Sequence, residues 1–252
     1  MSVGRLDIIG LGPGPERWLT METPAILALA TDVVGYGPYL DRVRIRPGQK
    51  RHASDNREEL ARARHALALA ADGAHVAVVS GGDPGVFAMA AALFEALEAG
   101  ETRWREIEIT VHPGISAMLA AAARLGAPLG HDFCAISLSD NLKSWNVIEQ
   151  RLRAAAMGDF VMALYNPASK ARPGLIHDAF ALLRELKPAE TIVGFARAIG
   201  RADEKLTLTT LAEADPAIAD MSTLVLVGAH ATRSFEACGR RWIYTPRGSG
   251  GG

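Results

Sequence analysis

Two patterns of apolar positions alternate along the chain: short aliphatic or β-branched runs, and longer Ala/Leu-rich stretches with apolar residues three and four apart. The first pattern belongs to buried strands and the second to helices with one apolar face. Their alternation predicts an α/β fold around a largely parallel sheet. Leu6-Asp7-Ile8-Ile9 predicts a first strand running into Gly10-Leu11-Gly12-Pro13-Gly14. A helix is predicted over 24–30, with Thr23 as cap and Pro24 at a position where a missing N–H costs nothing. Asp32-Val33-Val34-Gly35 reads as the next strand. Asn56 and Glu59 form a capping box; Leu60, Ala63, Leu67 and Ala71 then share one helical face until Asp72-Gly73. His75-Val76-Ala77-Val78-Val79 predicts a buried strand entering Ser80-Gly81-Gly82-Asp83-Pro84, followed by a helix over 87–99 and a strand over 107–111.

The second half continues less regularly. Helices are predicted over 116–125, 146–156 and 174–186. Strands are predicted over 133–138, 160–164, 191–196, 206–208 and 223–227, with an edge strand over 241–244. No Ser/Gly-rich linker or charge run separates the halves. The pattern predicts lobes over 1–113 and 114–247, packed closely with a cleft between them, and a flexible tail over 248–252.

Charge narrows the partners. The 252 residues carry 27 Lys plus Arg against 28 Asp plus Glu, so no long-range positive field draws the chain to nucleic acid or an anionic membrane. A small-molecule partner is expected. Cys134 and Cys238 lie far apart outside any C-x-x-C spacing, which predicts no disulfide framework, zinc site or four-cysteine cluster. Without a basic segment leading into an apolar run, or an uninterrupted apolar window of ~18 residues, a cytoplasmic protein is expected.

The glycine turns carry the candidate chemistry. Gly10-Leu11-Gly12-Pro13-Gly14-Pro15 invites comparison with a dinucleotide fingerprint, but Pro15 stands where the third glycine is required. The second strand also lacks the acid that would hold a ribose, and two prolines remove N–H groups a pyrophosphate would need. Ser80-Gly81-Gly82-Asp83-Pro84-Gly85 follows the carboxyl end of a strand, where open α/β sheets bind ligands. Its glycines let a ligand approach the backbone, and Asp83 could accept from a hydroxyl pair or an ammonium. An Asx-type turn capping a helix that begins near Val86 explains the same residues. Local physics leaves both readings open.

Taken together, Gly10-Leu11-Gly12-Pro13-Gly14, Ser80-Gly81-Gly82-Asp83-Pro84 and Pro113-Gly114-Ile115-Ser116-Ala117, in this order and spacing, resemble the tetrapyrrole methylases over nearly the whole chain. Four more segments resemble the corrin-pathway subgroup that methylates carbon 17 and contracts the macrocycle. These are Gly35-Tyr36-Gly37-Pro38-Tyr39, Ser137-Leu138-Ser139-Asp140, Leu164-Tyr165-Asn166-Pro167-Ala168-Ser169 and Ala196-Arg197-Ala198-Ile199-Gly200-Arg201.

The resemblance implies two α/β lobes, a homodimer, and S-adenosylmethionine as methyl donor in the cleft. By motif, Pro13, Gly81, Gly82, Asp83, Val86, Phe87, Ser116 and Ala117 fall on the donor, joined from the second lobe by Leu138, Tyr165, Asn166, Ala196 and Arg197. Ordinary strand core accounts equally well for Leu138 and Ala196. Methyl transfer needs mainly placement, whereas ring contraction moves protons. Tyr36, His52 and Asp140, expected in loops near the cleft, are the acid–base candidates. Tyr39, Lys143, Ser144, Trp145, Lys170, Arg172 and Arg201 are candidates to border a polycarboxylate substrate, although solvated surface roles or fold salt bridges suit the cations too. Competing readings are a cobalt-containing substrate, another methylase of the family, an RNA or protein methyltransferase, and a non-catalytic tetrapyrrole-binding module.

Overall fold

In the computed structural model, residues 4–55, 58–168 and 174–248 are described. Lys170 and Arg172, the Asn56 half of the capping box and most of the Gly-rich tail lie outside them. The chain divides into two compact units, Met1–Ala117 and Met118–Gly252.

In the first unit the predicted strands become β1 (Arg5–Gly10), β2 (Asp32–Tyr36), β4 (His75–Ser80) and β5 (Glu108–His112). The unpredicted β3 (Lys50–Ser54) completes an all-parallel sheet in the order β3-β2-β4-β1-β5. Its helices are α1 (Thr23–Leu29), the four-residue α2 (Gly37–Leu40), α3 (Glu59–Ala71) and α4 (Met89–Ala99). Thr23 is the first helical residue of α1 rather than its cap; its hydroxyl pairs with that of Thr20 at 2.8 Å. The buried face of α3 is Ala63, Ala66, Leu67 and Ala70, whereas Leu60 is exposed and Ala71 half-buried. The apolar face is therefore rotated from the predicted one. Arg62 shares the burial, its guanidinium donating to Ser54 Oγ at 2.7 Å and Asp55 O at 2.5 Å.

One polar group is embedded in this sheet. Asp7, fully buried on β1, accepts from Arg5, from His75 Nε2 at 2.7 Å and from His112 Nε2 at 2.8 Å. Burial alone would raise its pKa, but these hydrogen bonds outweigh that effect and hold it below the ordinary carboxylate value.

The second unit begins in α5 (Ala117–Leu125), whose first residue belongs to the first unit. It continues through β6 (Gly126–Ala127), β7 (Phe133–Ser137), α6 (Trp145–Met157), β8 (Val161–Tyr165), α7 (Leu175–Leu186), β9 (Ile192–Arg197), β10 (Lys205–Thr210) and β11 (Thr223–Val227). Its main sheet, β10-β9-β11-β8-β7, is mixed rather than largely parallel: β7 pairs with β8 in parallel, while β11 runs antiparallel to β8 and β9. The hairpin β12 (Arg233–Ala237) and β13 (Arg240–Tyr244), with β6, forms a separate three-stranded sheet, of which β6 and β12 lie outside the predicted strands. Cys238 (φ 54°) and Gly239 (φ 68°) turn that hairpin.

The second core centres on Phe180, Phe195, Leu152, Ile148 and Met162, all nearly or fully buried. Each such side chain contributes roughly 1.5–3 kcal/mol. No helix among the described residues is long and apolar enough to cross a membrane.

Candidate active site

The register of the first sheet brings three turns together. Gly10 lies opposite Ser80, so the turns after β1 and β4 start side by side; Ile9 lies opposite His112, which puts Pro113-Gly114 on the other flank. Leu11 N donates to Ser80 O at 2.8 Å, and Gly12 and Gly82 exchange N–H to O bonds, each 3.0 Å. A Cβ on Gly10 would sit 2.7 Å from the Gly114 backbone, and one on Gly114 only 2.3 Å from Gly82 O. The three motifs thus pack backbone on backbone, which only glycine allows.

The outer side of the cluster differs. At Gly82 (φ 66°) the nearest atoms to a built Cβ, from Ile115, Ser116 and Ala117, lie 3.9 Å away. A side chain there would make only ordinary contact with the third motif, so the backbone is packed less tightly on this side than at Gly10 and Gly114. This arrangement fits a ligand lying against main chain and carrying its own hydrogen-bonding groups, as S-adenosylmethionine does. Ser116 is buried, and Pro13 is half-buried in the first turn.

Asp83 resolves part of the ambiguity left by local physics. Its Oδ1 accepts from Gly85 N at 2.8 Å, forming the Asx-type turn, and its Oδ2 accepts from Gly114 N at 3.0 Å, tying the second turn to the third. No helix is capped by it, because α4 begins at Met89, two residues later than predicted. Phe87 precedes that helix at φ 51° and is about half exposed. Val86 and Phe87 thus belong to the turn rather than to a helix start.

The segment after β2 reaches the same cluster. The Tyr39 ring covers Gly81, where a Cβ would lie 2.6 Å from Cζ, and it meets Tyr36 edge-on at a centroid distance of 5.3 Å. Arg42 donates to the carbonyls of Leu11, Gly12 and Gly14 at 2.6, 3.0 and 2.9 Å. Nothing in the sequence pattern singles out Arg42.

His52 is a correction. It is not in a loop but within β3, and its Nε2 lies 2.7 Å from Asp32 Oδ1, at the opposite end of β2 from Tyr36. Its Nδ1 lies 3.0 Å from Nε2 of His65 on α3. The ring is committed to joining an edge strand to a helix. Tyr36 likewise ends a strand rather than sitting in a loop.

In the second unit β7, β8 and β9 point the same way, so Ser137, Tyr165 and Arg197 end at one sheet edge. Leu138 N donates to Tyr165 O at 2.9 Å, and Asn166 Nδ2 to Ser137 Oγ at 3.0 Å. Asn166 (φ 52°) and Ala198 (φ 50°) both adopt left-handed conformations. Leu138 and Ala196 bury their side chains, so only their backbone can meet a ligand. Tyr165 Oη accepts from Met118 N at 3.1 Å.

The remaining groups expected at the donor and the substrate divide. Arg197 bonds Asp220 and Asp203, each at 2.8 Å, and those carboxylates, Asp220 first, raise its pKa. It is thus a salt bridge of the fold, not a free ligand cation. Trp145 packs against the second core. Lys143 is held below its usual pKa by burial, with the Arg151 charge adding to the shift. Arg201 donates its N–H to Ala198 O at 2.9 Å, and Asp140 is half-buried after β7.

Comparison with known proteins agrees with this architecture. A sequence model of the tetrapyrrole (corrin/porphyrin) methylases matches residues 5–215. A Sinorhizobium precorrin-3B C(17)-methyltransferase is 56% identical over 97% of this chain and 96% of its own length. A Salmonella typhimurium protein named probable cobalt-factor III C(17)-methyltransferase is 41% identical over 96% of this chain and 98% of its own. The crystal structure of the methyltransferase CobJ superposes with a TM-score of 0.92 at 53% identity, covering 96% of this chain and 100% of that one. With its glycine turns joined backbone to backbone and these likenesses spanning its length, the chain belongs to the tetrapyrrole methylases, S-adenosylmethionine-dependent methyltransferases.

Proposed function

We propose that this protein methylates carbon 17 of precorrin-3B and contracts the macrocycle to precorrin-4 in cobalamin biosynthesis. The observation that carries this reading is the 56% identity, over nearly both full lengths, to the enzyme named for that reaction. The cobalt-containing substrate is the second reading, favoured by the 41% identity to the Salmonella protein.

S-adenosylmethionine supplies an electrophilic methyl group on a sulfonium that leaves readily. The protein's part is placement. In this reading Pro13, Gly81, Gly82, Val86, Phe87, Ser116 and Ala117 contact the donor, and Asp83 fixes the relation of two of its turns. Leu138, Tyr165, Asn166, Ala196 and Arg197 contribute mainly through backbone groups. Tyr36 and Asp140 are the groups proposed to move protons during contraction. Tyr39, Lys143 and Arg201, with Lys170 and Arg172, are proposed to meet substrate carboxylates. A cytoplasmic homodimer completes the reading, and light scattering of the purified protein checks the dimer.

The decisive experiment supplies metal-free precorrin-3B or its cobalt counterpart with methyl-labelled donor. Label in a ring-contracted product from the metal-free substrate is expected; label only with the cobalt form would favour the second reading. No labelled product from either would overturn both.

A further inference from the structure

We propose that Arg42 is a positioning residue for the methyl donor: its guanidinium sets the shape of the Gly10–Gly14 turn from outside. The inference rests on the reading of that turn as part of the donor site. Pro13 and Pro15 leave this turn short of N–H groups, so its own backbone has few donors with which to fix itself. Its carbonyls are what a neighbour can hold. Arg42 holds three of them, Leu11 O, Gly12 O and Gly14 O, between 2.6 and 3.0 Å.

Two details make the contact more than a surface bond. Gly12 O also accepts from Gly82 N at 3.0 Å, so one oxygen joins Arg42 to the bridge between the first and second turns. Leu11 and Gly14 bracket Pro13, so fixing their carbonyls fixes the proline between them. Arg42 follows α2, whose Tyr39 covers Gly81 of the second turn. One short segment therefore touches both glycine turns, the ring on one and the guanidinium on the other. A planar fork of donors suits three carbonyls fanned around one turn; an ammonium on a flexible stem does not.

The test compares Arg42→Met and Arg42→Lys with the wild type, and Gly82→Trp serves as a control for the donor site. S-adenosylhomocysteine affinity is measured by calorimetry, and donor KM and kcat are measured at saturating tetrapyrrole. For Arg42→Met, Kd and donor KM should each rise about tenfold or more while kcat stays within about threefold, because the loss falls on binding. Arg42→Lys should recover only part of the affinity, and it carries the test alone if the Met variant does not fold. Folded Arg42 variants that bind within twofold of wild type, while Gly82→Trp abolishes binding, would overturn the inference and leave the donor site standing. A fall in kcat with unchanged KM would also overturn it. Wild-type binding by Gly82→Trp would overturn the donor-site reading and the inference with it.

Discussion

The two units solve the same problem, holding irregular backbone at the carboxyl ends of parallel strands, with different residues. In the first, the close approaches occur at Gly10 and Gly114, where a side chain would strike backbone, while Gly82 between them holds a left-handed φ of 66°. In the second, the left-handed positions at the strand ends are filled by Asn166 and Ala198, which pay a conformational cost. At its glycine positions the first arrangement is free of local strain; the second must be enforced by its surroundings, such as the Ser137 bond to Asn166 and the Ser222 carbonyl that accepts from Ala198 N. Main-chain contact between turns demands glycine, whereas a left-handed φ alone only prefers it.

The contrast can be broken by mutation. The largest effect belongs to the polar centre beneath the glycine turns. Asp7→Asn leaves Arg5, His75 and His112 facing an amide and should cost about 3–5 kcal/mol in urea unfolding. The wild-type advantage has a pH signature. Because the folded carboxyl titrates below its unfolded value, its contribution is present above about pH 4 and fades as pH falls through the lower folded value. The gap between the two proteins should therefore narrow in acid; a gap that widens there would contradict the assignment.

Gly114→Ala comes next, since its Cβ would overlap Gly82 O. A loss of about 1–3 kcal/mol is expected, with a fall in S-adenosylhomocysteine affinity on calorimetry, because the turns must part to admit it. Asp83→Ala should cost about 1–3 kcal/mol by leaving Gly85 N and Gly114 N without their acceptor, a loss that thermal unfolding would register.

The smallest effect has the opposite sign. Ala198→Gly should stabilise the protein by up to about 1 kcal/mol, the strain relieved less the extra freedom of the unfolded chain. If Gly114→Ala is neutral and Ala198→Gly destabilising, the two strand-end arrangements do not differ as described.

The same contrast governs what could be read in advance. The long aliphatic strands and the glycine turns were legible, because burial on both faces and close main-chain approach each restrict residue choice severely. Edge strands β3 and β12 were not: Lys50-Arg51 and Arg233-Ser234-Phe235 face solvent, and both strands lack a clean apolar alternation. That omission is why His52 read as a loop group when its ring ties β3 to β2 and α3. The antiparallel order of β11 is decided by pairing across long separations, which local pattern does not encode. Arg42 escaped notice for a related reason: an exposed arginine whose partners are carbonyls 28 to 31 positions away leaves no periodic trace.

The β12–β13 hairpin has a practical consequence. Both of its turn residues, Cys238 and Gly239, have positive φ, the geometry of a two-residue turn that Asn fills more comfortably than Cys. Cys238 is exposed, while burial raises the pKa of Cys134 despite the opposing charge of Lys187. Since the thiolate is what reacts, the two sulfurs should differ widely in rate toward a maleimide. A dye added near neutral pH would collect on the hairpin, giving a single-site optical reporter in the natural sequence, and Cys238→Asn would supply its unlabelled, tighter-turning counterpart.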